Sequence, residues 1–284
     1  MLTVGLLTLG SSAILIRLAG TVSPLSLAAW RTVLVAALVL PVALLRSSDA
    51  VGQLSTQDRR AILGAGILLG LHFDAWVASV QLTSVAAASV LVTTSPLFIV
   101  ALDAAFYRRW PRPAVGVAVV CGVLGAALIG GASRATSSGP APVGGGLLAV
   151  AAALCFAAYL VVGASVRQRT GALLYFGLVS TVAAVTTTAL ALSAGAPVWP
   201  TPRVAVWVVA MALGPGLLGH GMFVVALRVV PASVVGVLSL AEPVVATILA
   251  VVLFGEIPTP AAWLGMGFVL ASIAAVTLTA HPGD

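Results

Sequence analysis

Lysine is missing from this chain: all thirteen basic side chains are arginine, and only seven aspartates and glutamates accompany them. Charged residues make up 7% of the 284 positions. Soluble domains carry roughly 25%, so the chain cannot coat a globule with charge. The two cysteines, Cys121 and Cys155, both lie in apolar stretches. That excludes a disulfide framework and a cysteine-held metal, and leaves buried structural thiols. No G-x-S-x-G elbow, H-E-x-x-H pair or Walker A loop occurs, so the chain shows no hydrolase, zinc-protease or ATP-pump signature. The sequence calls for no cofactor, no metal and no catalytic residue. The first residues lack the basic stretch of a cleaved signal peptide, so Met1 to Leu18 is expected to stay as a first helix, interrupted at Gly10, Ser11 and Ser12.

Apolar residues fill the space. They make up 61% of the chain, and the mean hydropathy is +1.20. A bilayer core requires about 20 apolar residues per helical crossing. Such runs fall at 2–19, 24–45, 61–80, 85–106, 114–131, 143–163, 172–194, 204–227, 232–254 and 260–280. This pattern predicts ten spans in a lipid bilayer, with nothing left over for a soluble domain. A net charge of +6 would suggest nucleic acid in a soluble protein. Here the arginines sit in short connections instead. Counting spans from a cytoplasmic start puts Arg46, Arg59, Arg60, Arg108, Arg109, Arg112, Arg167, Arg169 and Arg228 on one side. Arg134 and Arg203 fall on the other, with Arg17 near that boundary. The positive-inside rule then places both termini in the cytoplasm.

Two stretches repeat each other. SVAAASVLVTTSPLFIVALDAAFYRRWPRP begins at Ser84, and PASVVGVLSLAEPVVATILAVVLFGEIPTP begins at Pro231. Pro96 aligns with Pro243 at an offset of 147 residues (243 − 96), and Pro111 and Pro113 align with Pro258 and Pro260. The Gly/Ser/Pro-rich stretch 132–142 reads as an external linker between halves 1–131 and 143–284. With five spans in each half, the second copy enters the membrane upside down. The expected fold is an all-α integral membrane protein of ten helices in two inverted five-helix repeats, an arrangement that places a substrate site at mid-membrane. Gly66 with Gly70, the run Gly144 to Gly146, and Gly265 with Gly267 are expected to bring helix backbones close together.

Proline interrupts three of the predicted spans, at Pro96, at Pro215 within Gly214-Pro215-Gly216, and at Pro243. Each removes a backbone donor, so kinks are expected there, with a gating role for the symmetric pair. An ionisable side chain inside a span costs at least ~2.5 kcal/mol, so each one needs a reason. His72, Trp76 and Ser79 share one helical face, offering a titratable ring, an aromatic platform and a hydroxyl to a small solute. His220 aligns one residue from His72 across the repeat, and Phe223 follows it as a weaker echo. The alternative is a neutral histidine satisfied by a neighbouring carbonyl. Thr93 and Ser89 either line the cavity or re-satisfy the backbone before Pro96, and Tyr159 is a further lining candidate. Arg31 and Glu242 would supply charge complementarity or coupling. Glu242 either pairs with Arg31 or carries a proton during transport, and Asp74 is expected to pair with an arginine such as Arg31. Asp103 is expected to be an end charge near Arg108.

The stretches AAWRTVLVAALVLP (Ala28–Pro41), TSVAAASVLVTTSPLF (Thr83–Phe98) and SLAEPVVATILAVVLFGE (Ser239–Glu256), with the ten-span plan, resemble the EamA-type transporters of the drug/metabolite transporter superfamily. The first repeat departs from that pattern with Tyr107-Arg108-Arg109 where the second has Phe254-Gly255-Glu256, and Leu9-Gly10-Ser11 stands where members often show Trp-Gly-Ser. The resemblance implies an inner-membrane secondary carrier with a central cavity for a small-molecule substrate. Relatives export amino acids and related metabolites, and distant cousins move nucleotide sugars or phosphorylated metabolites. Export of an amino acid by alternating access is the leading expectation. A passive channel would need a continuous polar stripe, which the sequence lacks. A membrane-embedded lipid enzyme would need a nucleophile–base pair, which is also missing. Nothing in the sequence assigns an oligomeric state.

Overall fold

The computed structural model describes residues 2–83, 85–108, 110–132, 140–197, 199–254 and 257–279. Among these, all regular structure is helical: α1 (Leu2–Gly10), α2 (Ser12–Ala19), α3 (Pro24–Gly52), α4 (Thr56–Leu82), α5 (Val85–Val92), α6 (Ser95–Tyr107), α7 (Pro113–Ala132), α8 (Pro142–Arg167), α9 (Ala172–Ser193), α10 (Pro202–Met211), a π-helix (Ala212–His220), α11 (Gly221–Ala226), α12 (Ala232–Ser239), α13 (Ala241–Phe254) and α14 (Pro260–Thr279). Residues 133–139 of the expected linker, and Ser84, Arg109, Arg134, Gly255 and Glu256, lie outside the described residues. Seven of the described segments are long and apolar enough to cross a membrane, and three shorter apolar helices accompany them at Val4–Ala19, Pro113–Ile129 and Pro260–Ala275.

Local chemistry sets the boundaries. Proline opens α3, α8 and α10, where its missing N–H costs nothing. The Ser55 hydroxyl caps α4 by accepting from the Asp58 amide at 3.0 Å. The expected break near Gly10 falls between α1 and α2, where the Ser11 hydroxyl donates to the Thr8 carbonyl at 2.6 Å. Several of the arginines assigned to connections from sequence lie in helices instead: Arg59 and Arg60 fall in the first turns of α4, and Arg203 in the first turn of α10. The second apolar run extends to Gly52 with a kink at Ser47, so Arg46 lies in helix rather than in a loop. Arg167 is the buried last residue of α8, also not a loop residue.

The two prolines at Pro96 and Pro243 do more than bend their segments. One segment divides into α5 and α6 around Thr93 and Thr94, the other into α12 and α13 at Leu240. Thr93 and Leu240 are the same place in the repeat, 147 residues apart. Pro215 produces a nine-residue π-helix instead of a sharp kink. A wider turn absorbs the lost donor within the helix, and such turns concentrate where function needs a side chain re-aimed. The side chain it delivers is His220, at its last position.

Long-range packing uses the same offset. Helix α3 lies along α9, α4 lies between α8 and α9, and α7 lies along α14. Ser272 donates to the Ala118 carbonyl at 2.7 Å across the last of these pairs. Shifting both residues by the offset gives Gly125 and Gly265, and there the helices approach so closely that a Cβ on either would lie 2.5–2.6 Å from the other's carbonyl oxygen. Gly66 presses on Val182, and Gly216 presses on Val35, the repeat counterpart of Val182. A hydroxyl pair, Thr32 and Thr187 at 2.8 Å, ties α3 to α9 in the buried centre. In lipid these close approaches and buried hydroxyl bonds hold helices together, because water no longer drives them.

Candidate functional site

The broken helices and the π-helix converge on one central cavity. Its wall takes Leu9 and Ser12 from α1 and α2, Arg31 from α3, His72, Phe73 and Trp76 from α4, and Val92, Thr93 and Ser95 from the first helix break. Phe156, His220, Phe223, Ser239 and Glu242 complete it. Ser95 and Glu242 are repeat counterparts, and each stands in the first turn of a half-helix. Helix N-termini favour negative charge, so the α6 end is open to an anion while Glu242 already complements the α13 end. The free space is about 30 Å³. That is room for about two ordered waters.

Four aromatic rings meet at the centre. The ring centroids of His72 and His220 lie 6.1 Å apart. Phe73 contacts His220 edge-on at 4.9 Å, and Phe156 contacts His72 at 5.0 Å and His220 at 5.8 Å. His72 donates from Nδ1 to the Ala152 carbonyl of α8 at 2.9 Å, since only a protonated nitrogen can bond a carbonyl. That bond fixes the tautomer and leaves Nε2 as the acceptor. His220 Nδ1 is buried without a partner among the described residues.

Arg31 is the most demanding group present. It is 1% exposed, its guanidinium carbon stands 4.2 Å from the centre of the Phe73 ring, and neither terminal nitrogen has a hydrogen-bond partner among the described residues. The expected pairing with Asp74 does not form: both Asp74 oxygens are likewise buried without a partner. The spacing that separates position 74 from His72 also turns it away from the cavity wall. Glu242 shares the cavity with Arg31 and makes no hydrogen bond to it. A guanidinium fork has the geometry to bond a planar anion through two parallel N–H groups.

The structure thus brings Arg31, His72, Trp76, Thr93, His220 and Glu242 to one wall. Thr93 also donates to the Val90 carbonyl at 2.8 Å, so it both lines the cavity and satisfies the break. Two sequence candidates stand back from it. Ser79 is fully buried and donates to the Trp76 carbonyl at 2.7 Å. Tyr159 is fully buried behind Phe156, with ring centroids 6.1 Å apart. Pro96 and Pro243 each follow a lining residue, and Pro215 lies buried within the π-helix. Sequence reasoning missed Ser12, Phe73, Phe156 and Ser239. Phe73 could have been found, because it is the aligned counterpart of His220. Trp76→Ala is expected to lower transport by about tenfold, the scale of a lost aromatic contact with its buried area. Flux assayed alongside membrane insertion tests this, and wild-type flux would remove Trp76 from the site.

Known proteins share this architecture. A sequence model of the EamA-like transporter family matches residues 1–131 and 143–278. A Bacillus subtilis (strain 168) protein described as the uncharacterized transporter YwfM is 25% identical over 214 residues, covering 75% of this chain and 71% of its own. A solved crystal structure superposes with a TM-score of 0.77 at 23% identity, over 97% of this chain and 94% of that one.

Proposed function

Because the chain belongs to the EamA-like transporter family, and is a multi-pass membrane transporter rather than an enzyme, we propose that it moves a small zwitterionic metabolite such as an amino acid by alternating access. In this reading ten spans form two inverted five-helix repeats, residues 1–131 and 143–284, in a bacterial inner membrane with both termini cytoplasmic. The arginine distribution and the offset-related contacts support that arrangement.

One observation carries the substrate class: Arg31 and Glu242 face the same small cavity with no hydrogen bond between them. A zwitterion answers both charges at once. Its carboxylate would take the Arg31 fork and the open α6 N-terminus, and its ammonium would take Glu242 and the ring faces. A phosphorylated cargo carries more negative charge than the cavity's single arginine complements. Glu242 would also take up a proton from solvent when the cargo leaves and release it when cargo binds, which would couple flux to the proton gradient. The direction we propose is export.

Counterflow in proteoliposomes tests the reading. Preloading vesicles with unlabelled amino acid is expected to accelerate uptake of the labelled form, because a carrier returns faster when loaded. Uptake indifferent to preloading would indicate a channel, and no uptake of any amino acid would overturn the substrate class.

A further inference from the structure

A second cavity, of about 10 Å³, adjoins the first. Arg31, Phe73 and His220 line both, so they form the partition between them. Beyond the partition the wall is mainly apolar, with Val35 from α3, Leu69 from α4, and Phe176 and Ala183 from α9. Two hydroxyls, of Thr32 and Ser180, also line it. That of Thr32 is already engaged, with the Ala28 carbonyl at 2.9 Å and with Thr187 at 2.8 Å.

The repeat explains why there is room. Leu69 and Phe73 stand one turn apart on α4, and their counterparts 147 residues further on are Gly216 and His220. All four meet at this cavity. One half supplies a leucine where the other supplies bare backbone. A Cβ on Gly216 would already lie 2.8 Å from Val35 Cγ2, so the wall stays open only because glycine stands there. A space of this size takes one water or one methyl group, and walls this apolar suit the methyl.

We propose that this second cavity is the subsite for the cargo's side chain, and that it selects an amino acid with a short aliphatic one. The inference rests on the zwitterion reading above and deepens it. Arg31 borders both spaces, and the Cα of an amino acid lies one bond from its carboxylate. With the carboxylate on the Arg31 fork and the ammonium at Glu242, the side chain is the group left to enter the second cavity. A charged side chain would be buried there without a partner, which is costly. Glycine would leave the space unused. An apolar pocket discriminates a single methylene by about ten- to two-hundredfold, so alanine and valine should be preferred.

Proteoliposome uptake of labelled alanine, valine, leucine, glycine and glutamate, each in the same preparation, measures the selectivity. The parent protein is expected to take up alanine and valine about tenfold or more better than glycine and glutamate. Leu69→Ala enlarges the cavity and should raise the leucine-to-alanine uptake ratio about tenfold. Ala183→Val fills it and should bring the alanine-to-glycine ratio down towards parity. Ratios are read within one preparation, so a loss of folded protein does not mimic either change, and having two variants covers the case in which one fails to fold. Ratios that stay the same in a folded variant, or a parent protein that takes up glycine or glutamate as well as alanine, would overturn the subsite and leave the zwitterion carrier standing. If none of these amino acids is taken up, both readings fall.

Discussion

Arg31→Met is expected to abolish most transport, by about ten- to hundredfold, without lowering the melting temperature of the protein. The two halves of that result have one cause. Arg31 is buried at the centre of the helices, and neither terminal nitrogen is hydrogen-bonded within the described residues. Holding it there costs free energy that an unbranched apolar side chain does not cost. Methionine keeps contact with the Phe73 ring, since thioethers pack well against aromatic edges. What it removes is the fork, and charged hydrogen bonds of that kind contribute about 1.5–3 kcal/mol each. Arg31→Lys should fall between, keeping the charge and losing the planar pair of donors. Flux in proteoliposomes and a detergent melting curve decide the matter together. If Arg31→Met loses stability and transport in parallel, Arg31 is a packing residue and the zwitterion reading loses its main support.

The contrast between that residue and its neighbours shows what the sequence could reveal. A charge in a twenty-residue apolar run is conspicuous, so Arg31, His72, His220 and Glu242 stood out at once. The repeat foreshadows the meeting of the two histidines alone, which lie one position apart in its register, because counterparts in two related halves fall near a common axis. The aromatic wall was harder to see. Phe156 has no charge, and its counterpart Leu9 lines the same cavity but is just as apolar; in an apolar helix periodicity does not distinguish the face that meets lipid from the face that meets a cavity. The contact of Arg169 Nη2 with Asp58 Oδ1, at 2.6 Å, joins residues 111 positions apart, and each alone looks like an ordinary end charge. Likewise, Gly214-Pro215-Gly216 announced a disturbance of the helix without saying that it would take the form of a π-helix ending at His220. Sequence marks expense and repetition well. It marks orientation poorly when every side of a helix is apolar.

Glycine makes the same point with the largest stability effect expected here. Gly265 and Gly267 lie two residues apart in α14, and from sequence both are candidates for close helix packing. In the structure they are opposites. A Cβ at Gly265 would lie 2.5 Å from the Gly125 carbonyl oxygen and 3.0 Å from the Ile129 amide, both backbone atoms that cannot turn aside. A Cβ at Gly267 would meet nothing within 4 Å. Gly265→Leu must therefore push α7 and α14 apart, at the upper end of the roughly 1–3 kcal/mol typical of overpacking or beyond it. Gly267→Leu adds a side chain on the outer face and replaces a poor helix former, a gain of up to about 1 kcal/mol. Thermal unfolding in one detergent should separate the two variants by many degrees, with Gly265→Leu low and Gly267→Leu at or above the parent. The pair also bears on the repeat, since Gly125 and Gly265 are the counterparts of Ser272 and Ala118, which share a hydrogen bond. Ser272→Ala removes that bond alone and should cost about 1 kcal/mol. A Gly265→Leu protein as stable as the parent would mean that α7 and α14 do not touch at this crossing, and the twofold relation drawn through it would fail with the contact.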